Sequence, residues 1–80
     1  MIDLQVHKQD LAQADQHVDQ ARHLIETQRK VIDGLYAHHQ PAHEAETLLA
    51  HLEESQAFLI LHRLRLAEYV DKRLRLAGMR

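Results

Sequence analysis

Histidine is the residue type on which any chemistry in this chain would turn: there are eight in eighty residues, and no cysteine. Three of them, His38, His39 and His43, crowd around the single proline, Pro41. Imidazole suits zinc, copper or nickel, and Glu44 or Glu46 stands close enough in sequence to add an oxygen ligand. Two histidines four residues apart, such as His39 and His43, share one face of a continuous helix. Pro41 falls between them and interrupts that face. One reading is therefore a small metal-binding or sensing protein using the turn histidines. The favoured reading is a solvated polar turn, with no cofactor.

His62 poses a different question. The run His62-Arg63-Leu64-Arg65 resembles the helix around a phosphotransfer histidine, which sits on a helical bundle. A phosphoryl acceptor must be exposed, whereas His62 reads as a position on an apolar seam beside Leu59 and Leu66. Fold-level analogy is a weak warrant for function. The favoured alternative is a core histidine hydrogen-bonded to a neighbour such as Ser55, with His7 and Gln28 as similar polar interruptions that fix register. Neutral imidazoles buried on such seams would make the assembly weaken in mild acid.

Other enzymatic parts are missing. Ser55, Thr27 and Thr47 are present without a glycine-rich loop or a nucleophile elbow, and the absence of cysteine removes thiolate chemistry and disulfides. The expectation is a protein that is not an enzyme.

The elements that must position these residues are helices. Leu4, Leu11, Val18, Ile25 and Ile32 recur at intervals of seven, with His7, Ala14, Ala21, Gln28 and Leu35 between them. That pattern predicts a helix over about 3–38 with one apolar stripe, capped at its start by Asp3. Pro41 disfavours helix in the residue before it but suits the first turn of a new one. A second helix is predicted over about 41–77, stopping at Gly78, with Glu44 and Glu46 favoured near its positive end. Its seam reads Ala45, Leu48, Leu52, Ser55, Leu59, His62, Leu66, Tyr69 and Leu76, with Arg73 as an exception.

A turn this short forces the two helices to fold back on each other. Charge agrees with that. The start of helix 1 is acidic (Asp3, Asp10, Asp15, Asp19) and the end of helix 2 basic (Arg63, Arg65, Lys72, Arg73, Arg75). At the other end, Glu44, Glu46, Glu53 and Glu54 would meet Arg22, Arg29 and Lys30.

Helix 2 carries more apolar surface than one partner helix can cover. Around Ala57-Phe58-Leu59-Ile60-Leu61 it is apolar on every side, and Ala57, Ile60, Leu61, Leu64, Ala67 and Leu74 make a second stripe. The expected fold is all-α: a single domain over 1–80, an antiparallel two-helix hairpin with a coiled-coil-like seam, dimerising into a four-helix bundle. Phe58, Ile60, Leu61, Leu64 and Leu74 are the expected interface. The partner is a second copy, with another helical protein as a further possibility. RLRLA occurs at Arg63–Ala67 and Arg73–Ala77. Its spacing of ten fits no helical repeat and reads as coincidence.

The run Glu44-Ala45-Glu46-Thr47-Leu48-Leu49, with Glu53-Glu54, Gln56 and His62-Arg63-Leu64-Arg65-Leu66, resembles a group of short uncharacterised bacterial helical-hairpin proteins, commonly alphaproteobacterial. The resemblance spans about 11–66 and implies a helical hairpin but no activity or site residues. Those proteins tend to have a glycine-containing turn where this chain has His38-His39-Gln40-Pro41.

A formal charge of −2, with the acidic start of helix 1 expected to neutralise the basic turns of helix 2, argues against nucleic acid as a partner. The leucines among Arg63 to Arg75 are needed for the core, which argues against a membrane surface. The N-terminus lacks the basic-then-apolar layout of a signal peptide, and the expected location is the cytoplasm.

Overall fold

The computed structural model describes residues 4–78, with side chains described from residue 8 onward. Helix α1 spans Leu4–Ala37 and helix α2 spans His43–Gly78. They pack along their length as a hairpin. No strand occurs among the described residues. The Asp3 cap and the seam side chains of Leu4 and His7 lie outside the described residues.

The turn is built by hydrogen bonds that close the end of α1. The Gln40 amide donates to the Leu35 carbonyl (2.8 Å) and the His39 amide to the Tyr36 carbonyl (3.1 Å). These six-to-one and five-to-two bonds are a Schellman motif, which requires a left-handed residue just beyond the helix. His39 occupies that position with φ 55°. Glycine is the usual occupant because it has no Cβ to strain the backbone there. Pro41 then leads into Ala42, whose carbonyl accepts the first bond of α2 from the Glu46 amide (2.9 Å). The new helix thus begins two residues after the proline.

The α1 seam faces α2 as its heptads require. Ala14, Ile25 and Ile32 are buried, and Leu11, Val18, Ala21, Gln28 and Leu35 are half-buried. On α2 the contact line is displaced by one residue from the expected members Leu48, Ser55 and His62, whereas the expected Tyr69, like Ala67 and Arg73, is half-buried. Ala42 and Val70 are buried, and Ala45, Leu49, Leu52, Gln56, Leu59 and Leu66 are half-buried. The expected seam members Leu48, Ser55, His62 and Leu76 are exposed. The line runs through Leu49, Gln56 and Val70 instead, with Arg63, itself exposed, reaching across to Asp15 between them. The antiparallel register puts Gln56 at about the level of Ala21, and Arg63 at about the level of Ala14. Small side chains on α1 leave room there for the long polar stems on α2.

Cross-helix polar contacts hold that register. Gln28 Nε2 donates to the Ala45 carbonyl at 2.9 Å, and the Arg63 guanidinium pairs with Asp15. Arg29 faces Glu53 at 3.7 Å, and the Tyr36 hydroxyl donates to Glu46 Oε1 at 2.8 Å. The expected opposition of charge is thus realised in two pairs, Asp15 with Arg63 and Glu53 with Arg29. Arg22 and Arg75 pair instead within their own helices, with Asp19 and Asp71.

The resulting rod measures 65 × 16 × 15 Å. Its radius of gyration is 18.4 Å, against about 12 Å for a compact domain of this length. Five residues, Ala14, Ile25, Ile32, Ala42 and Val70, make up the buried core of the described residues.

Candidate functional site

The turn histidines do not assemble a ligand set. His38, His39 and His43 are all exposed. The His38 imidazole donates from Nδ1 to the Gly34 carbonyl at 2.8 Å, which extends the cap of α1. His39 holds the left-handed position of the turn, and the His43 carbonyl accepts the Thr47 hydroxyl at 3.0 Å. Among the described residues, no three His, Asp or Glu side chains are placed to hold a metal ion.

His62 lies off the seam and is exposed, because its neighbour Arg63 is the residue that reaches across to α1. It lines a shallow depression of about 150 Å³ with Asp10, Gln13, Ala14, His17 and Leu66. The burial that argued against phosphoryl acceptance is therefore absent. So is the buried imidazole that would have made the assembly sensitive to mild acid through His62.

The most distinctive surface is apolar and lies on α2. Phe58 is 75% exposed, Leu64 50%, Ile60 47%, Leu74 44% and Leu61 41%. Helical spacing fixes where they point. Ile60, Ala67 and Leu74 continue in steps of seven from Glu46 and Glu53, which pair with Tyr36 and Arg29. They therefore lie on that flank of the hairpin. Phe58 lies on the opposite flank, near the side carrying His17 and His62. Leu61 and Leu64 join the two flanks across the back of α2, away from α1. The five residues thus form an apolar cap wrapped around α2, where a single straight stripe would have been simpler.

A second exposed apolar cluster escaped the sequence reading. Leu24 (56%) and Val31 (46%) on α1 and Leu48 (49%) on α2 are all exposed. They follow in steps of seven from His17 and from His62, so they share that side of the hairpin, nearer the turn. The regular spacing outside the seam was the available signal.

The basic end of α2 is partly committed. Arg63 holds Asp15, Arg75 holds Asp71 at 2.7 Å, and the Arg73 guanidinium lies over the Tyr69 ring at 5.1 Å. A wide-open groove of about 470 Å³ is lined by Arg65, Glu68, Tyr69, Lys72, Arg73 and Leu76. No helix among the described residues is long and apolar enough to cross a membrane. No family model matches the chain, and no curated protein or solved structure is found to be similar to it.

Proposed function

We propose that this chain is a non-catalytic helical module that associates with a second copy of itself through α2, giving a four-helix bundle with α2 central and α1 outside. The observation that carries this reading is the exposed cap of Phe58, Ile60, Leu61 and Leu64 on a hairpin whose core is thin. The accessible surface is 6520 Å² for a chain of 9.4 kDa. A compact monomer of that mass exposes roughly 5,000 Å². The excess, about 1,500 Å², is ample for an ordinary interface, which takes about 800 Å² per partner.

Sedimentation of the parent and of Ile60→Glu/Leu64→Glu tests it. The parent is expected as a dimer and the variant as a monomer, helical or unfolded. A parent that stays monomeric at all concentrations, or a variant that remains a folded dimer, removes this reading.

One observation favours a second reading. His62 is exposed beside His17 and Asp10, as a phosphoryl-accepting imidazole must be. Incubation with acetyl phosphate would then give an acid-labile phosphoprotein that His62→Gln abolishes. Labelling that survives His62→Gln, or no labelling, rules it out.

A further inference from the structure

We infer that the two copies pair through α2 in antiparallel orientation, about a two-fold axis passing close to Leu61 and Leu64; this rests on the self-association proposed above. The argument is the order of charge along α2, in which Glu44, Glu54, Arg65, Lys72 and Arg75 face outward while Glu46, Glu53 and Arg63 pair with α1. Before the apolar cap, α2 carries Glu44, Glu46, Glu53 and Glu54 with no lysine or arginine. After it come Arg63, Arg65, Lys72, Arg73 and Arg75, offset by Glu68 and Asp71. A parallel pair would set acidic segment against acidic segment and basic against basic. Antiparallel pairing sets each acidic segment against the other copy's basic one.

Local geometry agrees. Glu54, Phe58, Leu61, Arg65 and Lys72 share the outward side of α2 at helical spacing. Among the described residues, Arg65 and Lys72 hold no ion pair within the hairpin, whereas Arg63 and Arg75 do. A register centred on the cap brings Glu54 of one copy level with Lys72 of the other, and lets the Arg65 stem lie over the facing Leu61. Axial symmetry also explains why the cap is short: an isologous contact doubles it.

Cysteine placement tests the orientation, since the parent chain has none. Leu61→Cys, Glu54→Cys and Lys72→Cys are each checked for parent-like helicity, then treated with a short bismaleimide. Near the axis, Leu61→Cys is expected to link to itself. Two copies of position 54, or of position 72, would stand about 27 Å apart along the axis at 1.5 Å per residue. Neither should link alone, and an equimolar mixture of the two should link. Self-linking at 54 and at 72 indicates a parallel pair and overturns the inference. Absence of linking in a protein that light scattering shows to be dimeric also overturns it, while leaving self-association intact. A monomeric mass for the parent overturns both.

Discussion

The side-chain amide of Gln28 donates across the hairpin to the backbone carbonyl of Ala45 at 2.9 Å. It ties the middle of one seam to the first turn of α2. Ala45 keeps its place in the helix without this bond, so removing Gln28 strands no buried acceptor. Gln28→Ala should lower stability by about 1–2 kcal/mol, from one hydrogen bond and some packing. Gln28→Leu should stay within about 1 kcal/mol of the parent, because apolar burial replaces the bond. Urea unfolding of both variants measures this, and equal losses would deny the bond any role.

The two ends of the α1 terminus offer a paired test. Gly34 lies within α1, and a Cβ added there meets nothing within 4 Å. His39 occupies the left-handed position that favours glycine. Gly34→Ala should stabilise by about 0.5–1 kcal/mol, through helix propensity. His39→Gly should stabilise by a similar amount, as relief of about 1–2 kcal/mol of backbone strain is offset by a more flexible unfolded chain. Melting temperatures of the single and double variants decide this. A destabilised His39→Gly would mean that its imidazole makes a contact worth more than the strain.

The hairpin was legible because each helix repeats every seven residues and Pro41 stands between the two series. The α1 seam was legible for the same reason: only one of its lines is apolar over the whole helix, the line of Leu24 and Val31 being broken by His17. On α2 the period was visible but its phase was not. Leu48 and Leu49 are equally apolar, and Ser55 and His62 look no worse in a core than Gln56 and Arg63. Which line faces α1 is decided by the partner, where Ala14 and Ala21 admit the longer stems and Asp15 receives the Arg63 guanidinium. A pattern within one helix does not contain that information. The cap on α2 was legible in composition, but the separation of Phe58 from Ile60 by nearly half a turn depended on knowing that phase.

That phase is itself testable. Val70 is 6% exposed and His62 is exposed. Val70→Ala should cost about 1–2 kcal/mol and His62→Ala no more than about 0.5 kcal/mol. The reverse order in chemical denaturation would restore the seam through His62.

The last expectation concerns alkaline pH and the contact between Tyr36 and Glu46. The Tyr36 hydroxyl donates to Glu46 Oε1 at 2.8 Å. That hydrogen bond, followed by the carboxylate's charge, raises the phenol above its ordinary value of 10.0. Both favour the neutral phenol, so the folded value lies above the unfolded one. The sign follows: the unfolded chain loses this proton first as pH rises. The contribution is complete below about pH 10, the unfolded value, and disappears as pH climbs through the higher folded value. Tyr36 is exposed, so solvent screens the effect, and spectroscopy reads it better than stability does. With Tyr69→Phe leaving Tyr36 as the sole tyrosine, phenolate absorbance should rise at a higher pH than in unfolding denaturant. Adding Glu46→Gln keeps a hydrogen-bond acceptor but removes the charge, and the midpoint should fall part of the way back. Adding Glu46→Ala removes both and should return it to the denatured value. A midpoint indifferent to both changes at Glu46 would show that the two side chains do not meet across the hairpin in solution.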